Sequence, residues 1–230
     1  MNRTLLVLFT TLALGCAKEQ TTASNGMARL AKNNKFQDAP KVVVVDDAKM
    51  PVLSAVGDFV TLKFSGSFRK TPVTLTQRVL SRDGTVALVE MTMTEGKKSQ
   101  TIRARIDRPA IGQEQVLDVV KVENGRERAA NIAAYDAFMA KTMPDVDMNE
   151  ETLGTEEATV MMGGKETTGK VTRYKVKIGA RDAVMSIFHA DGFAWGDVAG
   201  EITGMDGKTI YKAEVTELGG ANTASVSASR

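Results

Sequence analysis

Few residues of this 230-residue chain are of a type and spacing that does chemistry, and they are scattered. There is one cysteine, Cys16, and one histidine, His189. One histidine excludes any site that needs two imidazoles. One cysteine excludes an internal disulfide and a cysteine-rich metal site. His189 is the only imidazole base available to a nucleophile. It lies in Ser186-Ile187-Phe188-His189-Ala190-Asp191-Gly192, and the chain has no Gly-x-Ser-x-Gly elbow. A histidine at a strand end beside a turn reads as a surface residue, so no catalytic residue is assigned and the chain is read as a non-enzyme. A phosphate-binding glycine loop and a dinucleotide fingerprint are both missing, so no cofactor is expected.

Two other constellations carry binding chemistry. The stretch Asp145-Val146-Asp147-Met148-Asn149-Glu150-Glu151 offers oxygens at alternate positions, with Glu156 eleven residues beyond Asp145. Asp145, Asp147, Asn149 and Glu156 resemble the first, third, fifth and twelfth ligands of an EF-hand calcium loop. Glu150 stands where that loop needs glycine, and Ala158 to Met162 reads as a strand rather than an exit helix. A solvated acidic loop behind a helix is the preferred reading, and no metal is expected. Phe188, Phe193 and Trp195 place three of the twelve aromatic residues within eight positions. They form a candidate ligand or contact patch, at the rim of an apolar cavity or a protein interface. Alternatively they close one end of the core. Met91, Met93, Met161, Met162 and Met185 would soften a groove for apolar ligands or pack as plain core.

Charge sets further bounds. Thirty Lys and Arg against twenty-eight Asp and Glu leave a formal net charge of +2, too little field for nucleic acid. Two basic rows, Arg173/Lys175/Lys177 and Arg103/Arg105, have the spacing of strand faces and read mainly as solvated surface. Apolar residues make up 43% of the chain, enough for a sizeable core.

The amino terminus reads as an address. Arg3 precedes the apolar stretch Leu5 to Leu14. As a helix, ten residues reach about 15 Å, half the thickness of a bilayer core, which suits a signal peptide rather than a span. No other window approaches 18 apolar residues, so no membrane-spanning helix is expected. Leu12-Ala13-Leu14-Gly15-Cys16 resembles the lipobox of bacterial lipoproteins. The resemblance implies cleavage before Cys16 and a diacylglycerol on its thiol. With Ala17 rather than Asp next in line, it also implies sorting to the outer membrane. Plain secretion after a cut at Ala17, leaving a secreted or periplasmic protein, is the alternative. On the first reading, residues 1–15 are a signal, 16–41 a flexible tether, 42–218 a β-rich domain and 219–230 a frayed tail.

Within the domain the dominant period is two. Val60/Leu62/Phe64/Phe68, Ala87/Val89/Met91/Met93, Ile102/Ala104/Ile106, Tyr174/Val176/Ile178 and Tyr211/Ala213/Val215 alternate with polar or charged residues, Leu88 excepted. Asp83-Gly84 and Asp206-Gly207 fall between such runs and predict tight hairpins. Short strands joined by tight turns make an antiparallel meander. One Ala-rich segment, 128–142, has helical spacing, with Ile132, Tyr135, Phe138 and Met139 on one face and Pro144 beyond it. It separates strand groups near 55–122 and 155–218. The expected fold is mainly β, an antiparallel meander forming a curved sheet (half-barrel) or a two-layer sandwich, with one amphipathic helix. A curved sheet around a helix resembles the carriers that escort lipids or lipoproteins across an envelope.

The function expected from these features is a lipid-anchored, non-enzymatic interaction or accessory protein of the envelope with a protein partner. The alternative is a carrier of a lipid or other apolar ligand. Replacement Cys16→Ser is expected to move the protein from the membrane to the soluble exported fraction on cell fractionation. Retention on the membrane would contradict the lipidation reading.

Overall fold

A computed structural model describes residues 54–108, 114–144, 146, 148–190, 195 and 199–220; the side chains of 148–150 are not described. The start expected for the domain, residue 42, lies outside the described residues. The alternating runs become strands: β1 (Phe59–Ser65), β2 (Val73–Asp83), β3 (Val86–Glu95), β4 (Lys98–Asp107), β5 (Gln115–Glu123) and β6 (Arg126–Ala129). After the helix α1 (Ile132–Met139) come β7 (Met148–Met162), β8 (Lys165–Ile178), β9 (Arg181–His189), β10 (Ala199–Gly204) and β11 (Thr209–Gly219).

All eleven strands belong to one sheet, in the order β6-β5-β4-β3-β2-β1-β11-β10-β9-β8-β7. Every neighbouring pair is antiparallel, and all are sequential except β1 with β11, which joins a six-stranded meander to a five-stranded one. Of the two arrangements expected, the single open sheet forms and the two-layer sandwich does not. No helix among the described residues is long and apolar enough to cross a membrane.

In the first meander the two faces are sharply divided. Residues directly opposite one another share a face. The rows Leu62–Leu75–Met93, Met91–Ile102, Val89–Ala104–Val119 and Ala87–Ile106 lie on one side, and all of these residues are buried. The other side carries a row of threonines, Thr61–Thr76–Thr92–Thr101, with hydroxyl contacts of 3.1 Å between Thr61 and Thr76 and 3.0 Å between Thr92 and Thr101. Next to it Arg103 bridges two carboxylates, with Nη2 2.8 Å from Glu90 and Nη1 2.6 Å from Glu127. These partners compensate the cation that the sequence placed in a basic row.

The helix packs on the apolar side, against β5, and the 3-10 turn that follows it (Ala140–Thr142) meets β2. Lys141 Nζ reaches Gln100 Oε1 on β4 at 3.0 Å. Tyr135, Phe138 and Met139 are buried. Burial of side chains such as Phe138 and Met139 contributes about 1.5–3 kcal/mol each. Eight residues are too few to hold a helix in water, so packing holds this one.

The helix is shorter than its sequence suggested. Arg128 and Ala129 belong to β6, paired with Lys121 and Val120 of β5. Asn131 caps the helix, its Oδ1 accepting from the Ala134 N–H at 3.0 Å. Ile132 falls in the first turn and is 51% exposed rather than buried with the other three. Phe68 likewise leaves the alternation, because β1 ends at Ser65 and the chain turns at Gly66. The β2–β3 hairpin also differs from expectation. Asp83 pairs with Val86, so the two-residue loop is Gly84-Thr85, with Gly84 at φ +56° in the first central position.

A Cβ added at Gly84 meets no atom within 4 Å, so the positive φ of the backbone is the main resistance to a side chain there. Gly84→Val is expected to lower stability by about 1–2 kcal/mol, the cost of a left-handed β-branched residue, with an unchanged m-value in urea unfolding.

Candidate functional site

The second meander buries residues on both faces, and this creates a site. On the side shared with the main core, Tyr174, Met185, Ile202 and Tyr211 form one row, and Val176 faces Ala183. On the opposite side run Val171–Phe188–Ala199 and Arg173–Ser186–Glu201–Lys212. Phe188, Met162 and Thr167 on that side are only 3%, 1% and 5% exposed. The β7–β8 hairpin covers them by curling back on β11. The Gly163 N–H donates to the Val215 carbonyl at 3.1 Å, on a stretch of β11 that β10 does not reach. Gly169 permits the close fit: a methyl group there would strike the His189 carbonyl and the Phe188 ring.

Between the curled hairpin and β9–β11 lies an open cleft of about 350 Å³. Its walls are Val160, Val171, Phe188, Ala199 and Val215, and its polar members are Ser186, Glu201, Lys212 and Glu214. Lys212 Nζ sits 2.7 Å from Glu214 Oε1. That hydrogen bond, with the Glu214 and Glu201 carboxylates nearby, holds the ammonium above its ordinary range. Glu201 Oε1 accepts from the Thr209 hydroxyl at 2.6 Å. The polar side is thus a line of alternating charge, and Lys212 in it is a cation rather than a base at neutral pH. Ser186 is the only hydroxyl lining the cleft among the described residues. His189 lies on β9 at the parity opposite to Ser186 and Phe188, so it faces away from the cleft. No nucleophile and base converge there.

The residues singled out from sequence are dispersed. Phe188 lines the cleft as a buried wall and presents no ring at the surface. Trp195 is half-buried elsewhere, with the Arg108 guanidinium 5.8 Å from its ring centre. Phe193 lies outside the described residues, as do Asp145 and Asp147. Cys16 lies outside them too. The calcium geometry is not available to the two remaining ligands. Asn149 and Glu156 both belong to β7, seven residues apart. Across the two register shifts in β7 they pair with Val176 and Val171 of β8, five residues or about 17 Å apart, where ligands of one ion stand within about 5 Å. Glu156 is also engaged by Arg173 Nη2 at 2.6 Å, which compensates part of the second basic row. Among the described residues there is no cluster of three or more His, Cys, Asp or Glu side chains poised for a metal.

Sequence reasoning missed the cleft. The available signal was the run Ala183-Val184-Met185-Ser186-Ile187-Phe188, nearly continuous in apolar character, as expected of a strand buried on both sides. With Asn149 and Glu156 held apart along β7, millimolar calcium is expected to leave the melting temperature unchanged in differential scanning fluorimetry; a calcium-dependent rise would contradict this geometry.

Comparison with known proteins finds no matching family model and no characterised protein that matches in sequence. Several solved structures superpose in part. A hypothetical protein of Chlamydia trachomatis aligns over 73% of this chain and 89% of its own, with a TM-score of 0.43 and 8% identity. An exported protein with a YmcC-like fold from Bacteroides fragilis aligns over 74% of this chain and 98% of its own, with a TM-score of 0.38 and 11% identity. MucB, solved with MucA from Pseudomonas aeruginosa, gives a TM-score of 0.33 and 13% identity, and the alignment spans 72% of this chain but about half of MucB, 52%. Values this low assign the chain neither a family nor a function.

Proposed function

We propose that this chain is a non-enzymatic binding protein of a bacterial cell envelope, tethered to the outer membrane by lipid on Cys16. Its working surface is the cleft between the β7–β8 hairpin and β9–β11, which receives an apolar segment of a protein partner. The observation that carries this reading is the cleft itself: open, about 350 Å³, with apolar walls beside the fixed line of Glu201, Lys212 and Glu214. That volume is at the lower end of ligand pockets and suits one or two large side chains. The charged line beside it suits the alternating donors and acceptors of a peptide backbone. No reacting pair stands in it, which favours binding over catalysis. The apolar side of the first meander is filled by α1, so the space there that a lipid carrier would need is occupied by side chains.

The carrier reading draws on the same cleft and is separated by experiment. A photo-crosslinking amino acid placed at Ala199 in living cells is expected to give adducts of protein size. The same probe at Thr92, on the outer face of β3, is expected to give none. Val171→Trp, which fills the cleft, is expected to abolish the Ala199 adducts while the circular dichroism melt stays within a few degrees of the parent. Organic extraction of the purified protein followed by mass spectrometry is expected to yield no lipid beyond the Cys16 anchor. A co-purifying lipid lost in Val171→Trp, with no protein adduct, would replace this proposal by the carrier.

A further inference from the structure

A second polar feature lies on the other face of the sheet, away from the cleft and independent of it. Arg82, near the end of β2, stands opposite Ala87 of β3, and Ala87 stands opposite Ile106 of β4. Arg82 therefore points to the apolar side on which α1 packs. A register shift between Val79 and Ser81 is what turns it inward. Val79 is on the apolar side, so without the extra residue position 81 would face the core and position 82 the solvent. A bulge has re-aimed a cation into a dry face.

The guanidinium is divided between two environments. Nη1 reaches the Gly84 carbonyl at 3.4 Å at the exposed hairpin tip. Nε and Nη2 are buried and have no hydrogen-bond acceptor among the described residues. Beside them is a second cation. Arg108, 9% exposed, follows β4 and is fixed by its backbone N–H on the Thr85 carbonyl at 3.1 Å. Its Nε lies 2.8 Å from Glu114 Oε1, in ion contact without hydrogen-bond alignment, and its guanidinium carbon stands over the Trp195 ring, 5.8 Å from the centre. Burial and then the Arg108 charge pull Arg82 below the usual arginine range, and Asp58 opposes them. Asp58 Oδ2 accepts from the Ala55 N–H at 2.6 Å, and its charge reaches Arg82 through space without a hydrogen bond to Nε or Nη2. Asp107 does not answer the need. It stands opposite Val86, on the outer side of the sheet.

An inward-aimed arginine next to another arginine has an edge with no hydrogen-bonded anion among the described residues. We propose that Arg82 and Arg108 form a receptor for a phosphate-class oxyanion. The Nε–Nη2 edge of a guanidinium holds two oxygens of one anion through parallel hydrogen bonds. Phosphate brings a third oxygen, which is left to face Arg108, whereas a carboxylate has none. The anion satisfies the two orphaned N–H groups and relieves the repulsion between the two cations. Its source is either free phosphate or the phosphodiester headgroup of a lipid.

Trp195 is the sole tryptophan of the chain and packs on Arg108, so its emission reports occupancy directly. The full mature protein is titrated at constant ionic strength with inorganic phosphate, with acetate, and with dihexanoyl-phosphatidylglycerol kept below micelle formation. A saturable change in Trp195 emission is expected with phosphate or the short-chain lipid, together with a rise in melting temperature, and neither with acetate. Saturation by the lipid at a tenfold lower concentration identifies the headgroup as the source; otherwise free phosphate is the source. Arg82→Lys, which keeps the charge but loses the two-pronged edge, is expected to weaken binding at least tenfold, and Arg82→Gln to abolish it. In phosphate-free buffer Arg82→Gln is expected to melt at or above the parent, because an uncompensated buried charge is gone. Absence of any response to phosphate and lipid, an equal response to acetate, or an undiminished response in Arg82→Lys and Arg82→Gln would each overturn the proposal.

Discussion

The rest of the structure depends on the pairing of β1 with β11. These are the first and last strands described, and they lie side by side at the centre of the sheet. Leu62 faces Val215 and Phe64 faces Ala213 across the joint, all four buried. The Phe64 and Tyr211 rings stack at 6.3 Å, which extends the contact toward β10. Without this seam each meander would present an apolar edge strand to solvent, the arrangement that invites aggregation. The joint also couples positions about 150 residues apart in the chain. Both meanders can form locally, but they become one core only after a costly loop closure, so this is expected of the slower, higher-contact-order kind of folding.

Given that seam, the placement of side chains is a matter of parity, and bulges reset parity. The joint itself has a register shift between Thr61 and Leu62, where the Thr216 hydroxyl donates to the Thr61 carbonyl at 3.2 Å and so holds the irregular stretch. The shift in β2 sends Arg82 inward. β7 carries two shifts, after Asn149 and after Thr152, and bulges bend a strand and increase its twist. That bending fits a hairpin whose far end returns to β11. The first meander, with a single dry face, is a wall of the core. The second, dry on both sides over part of its length, is where a cleft can open.

This division explains what the sequence made legible. A strand with one dry face prints its period directly, so Ala87 to Met93 and Ile102 to Ile106 were readable, as was the helical spacing of Tyr135, Phe138 and Met139. Strands at the edges print nothing. β6 is Arg-Glu-Arg-Ala and wholly exposed, and Glu151 to Glu157 of β7 are exposed and mostly polar. Edge strands draw their hydrogen bonds from a neighbour rather than from burial, so the acidic stretch from 148 read as a loop. Bulges are equally silent in composition. The inward turn of Arg82 and the meeting of Glu201, Lys212 and Glu214 at one cleft depend on register across strands. Phe188 was noticed as an aromatic, but its place on the face opposite Met185 is a property of pairing.

Among the buried polar groups without a hydrogen-bond partner in the described residues, two face the apolar side of this sheet from within its strands, Tyr211 on β11 and Arg82 on β2, and they differ in a way that matters. The Tyr211 hydroxyl is one. Its ring lies between Phe64 and Phe68, in T-shaped contact with Phe68 at 5.3 Å, and burial pushes its ionisation well above the ordinary phenol range. Nothing polar adjoins it among the described contacts, and the residue is 3% exposed. The ring serves packing at the central seam, and the unmet hydroxyl is the cost of using tyrosine there. Arg82 has no such account. Its apolar stem does not require a charged end, since leucine or methionine would pack on Ala87 and Ile106 without one. The bulge that turns it inward, the second arginine near it and the Nη1 contact at the exposed hairpin tip distinguish it from a packing compromise. A buried orphan whose ring fills a core seam is a matter of shape, whereas a charged one turned inward by an irregularity of the backbone, with its remaining nitrogen at an exposed hairpin tip, is the arrangement an anion receptor would use.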